Sequence, residues 1–275
     1  MTFIDGTPIV ISEIRARIAK RLADAGVDNA QAEARFICEA ARDLTEVEEM
    51  ATRRIAREPL SQILGTQPFW TLDLKVTPDV LTPRADTETL VEEALKRLPE
   101  KGRDYSIVDL GTGSGAILLA LLRERLNAAG LGIDSSKAAL SIAKENAMRC
   151  KLTDRCELRF GNWADGLPND SFDLAVSNPP YIATDVLAGL EPEVRDHEPH
   201  LALDGGADGL DVYHTLISEL FRIVCTGGHA LVEIGFDQAE PVQALFEAAG
   251  FVDVLMVRDL AGNPRVVSGH KAAKD

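Results

Sequence analysis

Ser106-Ile-Val-Asp-Leu-Gly-Thr-Gly-Ser-Gly115 passes from a short apolar run into a turn with three glycines, and Ala116 opens a leucine-rich segment reaching Arg125. A five-residue apolar run is too short for a helix and suits a strand buried on both faces. The glycines allow a tight turn and close approach of backbone to a ligand. The stretch therefore reads as strand, turn and helix. Working outward, the alternation continues. Strands are expected at 131–134, 156–160, 172–177, 229–234, 251–257 and 265–268, with helices at 89–98, 136–149, 212–224 and 239–248. This pattern predicts an α/β domain with a doubly wound, seven-stranded, Rossmann-like sheet.

In such a sheet a ligand sits over the C-terminal strand ends. Gly111, Gly113 and Gly115 lie there, and Asp134 ends the second strand, where a ribose would present its hydroxyls. Gly111-x-Gly113-x-x-Ala116 followed by an acid also satisfies the dinucleotide fingerprint, so this pair alone leaves a nicotinamide cofactor open. The fourth strand decides between them, because it ends in Ser177-Asn-Pro-Pro-Tyr181. A strand followed by a proline-rich turn is the plain structural reading of that stretch. Its chemistry suits a sharper one, the presentation of a planar NH2 group to an electrophile. Such a nitrogen is weakly nucleophilic because its lone pair is delocalised, so both N–H bonds need acceptors that aim it. Asn178 offers a side-chain carbonyl. Pro179 offers a backbone carbonyl whose direction is narrowed by its own ring and by Pro180. Tyr181 can lie flat against the planar group.

The N-terminal part differs in kind. Val10, Ile14, Ile18 and Leu22 recur at helical spacing, with Ser12 as a cap and Gly26 as a stop. A second helix follows Asp28 with Ala32, Phe36, Ile37 and Ala40 as its apolar set, and a third spans 47–55. Phe69 to Val80 alternates as a β-hairpin would. The expected organisation is a helical bundle over 1–70, a hairpin and linker over 71–88 and the α/β domain over 89–275. Within Leu81-Thr-Pro-Arg-Ala-Asp-Thr-Glu88, Asp86 or Thr87 is expected to cap the helix that begins at Thr89.

The charge balance is acidic, 29 basic against 44 acidic residues for a net −15. Nine basic and eleven acidic residues in 1–70 leave −2 there and −13 in the remainder. A chain of this charge without a basic stripe is a poor candidate for gripping duplex DNA. The four cysteines, Cys38, Cys150, Cys156 and Cys225, form neither a CxxC pair nor a ligand-spaced cluster, so neither zinc nor a disulfide framework is expected. Pro199 keeps His197 and His200 off one regular helix face, so no metal is expected there. Met1 to Val10 lacks a secretory pattern and no apolar run approaches a membrane span, which predicts a cytoplasmic chain.

Six stretches together are similar to one family: Leu81 to Glu88, Val108-Asp-Leu-Gly-Thr-Gly-Ser-Gly115, Ser177-Asn-Pro-Pro-Tyr-Ile182, Leu203-Asp-Gly-Gly-Ala-Asp-Gly-Leu210, Glu233-Ile-Gly235 and Asp259-Leu-Ala-Gly262. They resemble the HemK/PrmC family, release factor glutamine N5-methyltransferases with a class I S-adenosylmethionine-dependent fold. The likeness spans nearly the whole chain, with two departures: Ala85 replaces a usual second proline, and Asn263-Pro264 replaces a usual charged pair. The resemblance implies methyl transfer from S-adenosyl-L-methionine to the glutamine of the Gly-Gly-Gln motif in class 1 peptide chain release factors. By it, Gly111, Thr112, Gly113, Ser114, Gly115, Asp134, Trp163 and Asn178 would bind the cofactor. Asn178, Pro179, Pro180 and Tyr181 would hold the amide, with Asn178, Pro179 and Tyr181 catalytic and Phe69 lining the glutamine pocket. The helical domain would recognise the substrate protein. A monomer without direct DNA binding is expected. The rival reading is an adenine-N6 or guanine-N2 methyltransferase using the same Asn-Pro-Pro-Tyr chemistry on nucleic acid.

Overall fold

The computed structural model describes Phe3–Ile4, Thr7–Pro8 and residues 11–273. Val10, and the leader pattern sought in residues 1–10, lie outside the described residues apart from those two short strands. The chain forms two compact units, one of residues 1–66 with 191–197, the other of residues 67–190 with 198–275. The hairpin thus goes with the larger unit, and a seven-residue piece from far downstream goes with the helices.

In the smaller unit Phe3–Ile4 (β1) pairs with Thr7–Pro8 (β2), followed by helices Ile11–Asp24 (α1), Ala30–Ala40 (α2), Leu44–Ile55 (α3) and Leu60–Leu64 (α4). Ile14, Ile18 and Leu22 of α1 are buried, as their spacing requires. Ser12 lies inside α1 instead of capping it. On α2 the buried set is Ala30, Ala34 and Ile37, and Phe36 is 41% exposed with Arg35 over its ring. The small alanines let α2 pack closely, and one residue is about 100° of helix rotation, enough to turn Phe36 off that face. Asp43 caps α3, its side chain accepting from the Glu46 amide.

The downstream piece is held by charge. Arg54 on α3 is buried, and its guanidinium donates to Glu33 on α2 and to Glu193 at 2.8 Å. Arg57 donates to the other Glu193 oxygen, also at 2.8 Å. Glu193 belongs to the short helix Pro192–Arg195.

The larger unit begins at Gln67, within the strand Thr66–Phe69 (β3), and goes on through Leu72–Lys75 (β4) and helix Glu88–Arg97 (α5) to the sheet: Ser106–Leu110 (β5), Ala129–Asp134 (β6), Cys156–Phe160 (β7), Phe172–Ser177 (β8), Val224–Glu233 (β9), Val252–Arg258 (β10) and Pro264–His270 (β11). The strand order is β10-β11-β9-β8-β5-β6-β7, parallel from β9 to β7, with β11 antiparallel to both β9 and β10. This is the doubly wound, seven-stranded sheet that the sequence predicts. Helices Ala116–Glu124 (α6) and Lys137–Arg149 (α7) follow β5 and β6, the short Pro192–Arg195 (α8) belongs to the other unit, and Asp211–Ile223 (α9) and Ala239–Ala249 (α10) complete the layers.

Strand alternation divides the core in two. Ile107, Leu174 and Leu231 point to one face, packed with α5 and α6 residues such as Leu90 and Leu118. Val108, Ala175 and Val232 point to the other, packed with Tyr213, Leu220 and Phe246. Strand β9 starts at Val224, five residues before the expected His229. The early residues pair across a register shift, Phe172 opposite Val224 and Leu174 opposite His229, which the glycine pair Gly227-Gly228 accommodates and which hides the strand from a pattern search.

Replacing Arg54 with alanine leaves Glu33 without its buried partner. Stability of the helical unit should fall by about 3 kcal/mol. Amide exchange in α2 and α3 measures the loss, and unchanged protection there would show that the ion cluster adds nothing.

Candidate active site

Strand β5 sits between β6 and β8, so successive connections leave it in opposite directions and open a crevice at the C-terminal strand ends. A cavity of about 530 Å³ lies there, lined by the turn after β5, the end of β6 and the start of the segment after β8. Its size suits a small-molecule cofactor.

The turn is fixed by backbone bonds. The amides of Gly111 and Thr112 both donate to the Ile133 carbonyl at 2.9 Å, and the Thr112 hydroxyl donates to Asp109 at 2.7 Å. Asp109 is fully buried, and burial raises its carboxyl pKa to about 7. Gly113 has φ +55°, and a Cβ there would meet no atom within 4 Å, so the turn leaves open room on that side. The Gly113 amide donates to one Asp134 oxygen and the Ser136 amide to the other, each at 2.8 Å. Those two bonds aim the carboxylate and leave further lone pairs on both oxygens. Trp163 has φ +47° and lays its indole against Gly111, where an added Cβ would stand 3.5 Å from the ring. An open glycine turn, an aimed carboxylate and an aromatic wall around one cavity fit S-adenosylmethionine.

The other wall carries the Asn-Pro-Pro-Tyr segment. Ser177 fastens it to β5, its hydroxyl donating to the Leu110 carbonyl at 2.6 Å. Asn178 and Pro180 line the cavity with Gly111, Thr112, Gly113, Ser114, Asp134 and Trp163. Gly115, Pro179 and Tyr181 do not line it. Gly115 starts α6 with φ +83°, and Pro179 is buried. The Tyr181 hydroxyl donates to Glu233 at 3.3 Å, and burial, with the charge of Glu233 behind it, raises the phenol pKa and keeps that proton in place.

Phe69 does not line this cavity either. It is 1% exposed and packs in the core with Leu72 and Leu74, apart from the cavity. The hairpin alternation places its ring inward. Trp70 beside it turns with φ +56°, its indole donating to Glu124 at 3.0 Å.

Several residues of the site carry no motif that chemistry alone would select. Thr87 stands at the N-cap position of α5, yet its side chain makes no cap bond. Its oxygen accepts instead from Asn178 Nδ2 at 3.4 Å. Gln238 donates to the carbonyls of Tyr181 at 2.9 Å and Gly209 at 3.2 Å, holding the loop of residues 203–210 against the Asn-Pro-Pro-Tyr segment. Gly209 has no room for a side chain, since a Cβ would lie 2.3 Å from the Tyr181 carbonyl oxygen. In the sequence Thr87 reads as an ordinary helix cap, and nothing local marks it as part of the site. Nothing local marks Gln238 either.

A family profile described as a methyltransferase domain matches residues 101–232. The chain is 49% identical over 269 residues to the release factor glutamine methyltransferase of Caulobacter vibrioides, covering 91% of this chain and 93% of that one. The chain belongs to the release factor glutamine methyltransferase family. The Geobacter sulfurreducens member is 42% identical over 266 residues, 90% of this chain and 92% of that one. Among solved structures, the hMettl16 catalytic domain in complex with the MAT2A 3'UTR hairpin 6 superposes with a TM-score of 0.61 at 14% identity, covering 74% and 77% of the two chains, a likeness of fold. The family works with S-adenosylmethionine, in keeping with the cavity.

Asp134→Ala removes a charged acceptor, and S-adenosylhomocysteine binding should weaken by about 1.5–3 kcal/mol. Calorimetric titration reads this directly. An unchanged dissociation constant would place the ribose elsewhere.

Proposed function

We propose that the chain transfers a methyl group from S-adenosylmethionine to the side-chain amide nitrogen (N5) of the glutamine in the Gly-Gly-Gln motif of class 1 peptide chain release factors. The observation that carries this reading is that Asn178 lines the same cavity as the glycine turn and Asp134, in a chain of this family. When bound, the cofactor supplies an electrophilic methyl group on a sulfonium. The chain's own residues do the rest. Asp134 takes the ribose hydroxyls, the turn from Gly111 to Gly115 admits the cofactor, and Trp163 walls its adenine region. The Asn178 side-chain carbonyl and the Pro179 backbone carbonyl accept the two N–H bonds of the glutamine amide, turning its nitrogen toward the methyl. The same two oxygens stabilise the positive charge that the nitrogen gains as the bond forms. No strong base is needed beforehand, because the methylated nitrogen becomes acidic. Pro180 and Tyr181 shape the pocket, Tyr181 held by Glu233.

A Gly-Gly-Gln loop offers almost no side-chain area, so selectivity needs a second contact. The helical unit supplies it in this reading, raising the effective concentration of the folded release factor at the site. The net charge of −15 opposes nucleic-acid binding. Among the described residues no helix is long and apolar enough to cross a membrane, and all four cysteines are free. These features support a cytoplasmic enzyme, which we read as a monomer that does not bind DNA.

Asn178→Ala should slow single-turnover transfer to a release factor about 10²–10³-fold, with little change in cofactor affinity. Transfer to DNA or ribosomal RNA in parallel assays, and none to the release factor, would overturn the substrate assignment. A chain shortened to begin at Gln67, with Glu193→Gln to spare an unpaired carboxylate, addresses the helical unit. Once shown to be folded and to bind S-adenosylhomocysteine, it should lose most of the kcat/KM advantage of the folded release factor over a Gly-Gly-Gln peptide. Retention of that advantage would give the helices another role.

A further inference from the structure

An Asn side chain can place either its oxygen or its NH2 toward a ligand, since the two ends have the same shape. The reaction needs the oxygen. What settles the choice is the partner of the other end, here the Thr87 hydroxyl, which accepts from Asn178 Nδ2 at 3.4 Å. A hydroxyl, however, can equally donate, and donation would draw the Asn178 oxygen to it and present NH2 to the substrate. The orientation of Asn178 therefore depends on where Thr87 sends its own proton.

Behind Thr87 lies Glu233, the last residue of β9, 1% exposed. One of its oxygens accepts from the Tyr181 hydroxyl at 3.3 Å, and the other, Oε2, is buried without a close hydrogen-bond partner. The Tyr213 hydroxyl is committed to the Glu233 backbone carbonyl at 2.7 Å, and Arg265 to Asp86 and Asp259. Thr87, itself 4% exposed, is a further hydroxyl facing this carboxylate; it makes no hydrogen bond to Oε2 in the structure, so both the Thr87 proton and that oxygen are open to one another. Resting on the function proposed above, we propose that Glu233 is a positioning residue: by taking the Thr87 proton it leaves Thr87 only lone pairs to offer, which turns Asn178 Nδ2 away from the glutamine amide and Oδ1 toward it.

The direction of the relay requires the carboxylate form. Burial, with the charge of Asp86, raises the Glu233 pKa to about 7, against the lowering pull of Thr87, Arg265 and Tyr181. Ionised above that pH, Glu233 accepts. Protonated below it, the carboxyl can donate to Thr87 and reverse the chain of bonds.

Wild-type enzyme should methylate a release factor with a single-turnover rate that falls as pH drops through about 7. Glu233→Gln removes the charge, and with its carbonyl oxygen kept by the Tyr181 hydroxyl it turns its NH2 toward Thr87. It should lower the rate about 10–100-fold, leave the S-adenosylhomocysteine dissociation constant within twofold and remove the acid limb. Thr87→Val should lose a similar factor, Thr87→Ser should keep most of the activity, and the double variant Glu233→Gln with Thr87→Val should be no slower than the slower single one. A Glu233→Gln enzyme with the wild-type rate and pH profile overturns the proposal and leaves the methyl-transfer reading standing. So do losses that multiply in the double variant, which would make the two residues independent. Should Glu233→Gln fail to fold, the Thr87→Val and Thr87→Ser pair decides, equal rates for the two counting against the relay. Wild-type enzyme that transfers nothing to the release factor overturns both.

Discussion

The register between β5 and β8 governs everything the site does. Ile107 lies opposite Leu174, Val108 opposite Ala175 and Asp109 opposite Val176. Two strands cut to that register end level with each other, so the glycine turn and Asn178 emerge at the same height on one side of the sheet. Parallel strands repeat every two residues, and a slip of one would send Asn178 to the wrong face. The apolar alternation forbids such a slip, because it would also exchange Leu174 and Ala175 between two differently packed layers. The Ser177 hydroxyl on the Leu110 carbonyl then locks the ends together.

That register explains which parts of the site can be read along the chain. The glycine turn, Asp134 and the Asn-Pro-Pro-Tyr segment each carry their chemistry in contiguous residues at a strand end, and each falls at the crevice. Thr87 reaches Asn178 across 91 positions and Tyr181 reaches Glu233 across 52, so their roles arise only when the sheet is assembled. Threonine before an acidic first turn looks like a helix cap, and a glutamate near the end of an apolar strand looks like the approach to solvent. Both appearances come from local chemistry that the fold overrides.

The misplacements have the same origin. Phe36 was expected inside because it is large and apolar, whereas α2 packs through its small residues. The start of β9 hid behind Gly227-Gly228, where a register shift lets a strand pass through residues with little strand propensity.

The excursion of residues 191–197 gives the chain an unusual connectivity. The backbone leaves the helical unit after residue 66, returns to it at 191 and departs again after 197. A single cut at the first crossing would therefore not yield two separable pieces, because Glu193, still covalently part of the downstream fragment, remains clasped by Arg54 and Arg57. The helices cannot be exchanged as a cassette by joining sequences at one seam. Any chimera made with this chain has to transplant both stretches at once, and Arg54 and Arg57 must find a carboxylate where Glu193 now stands.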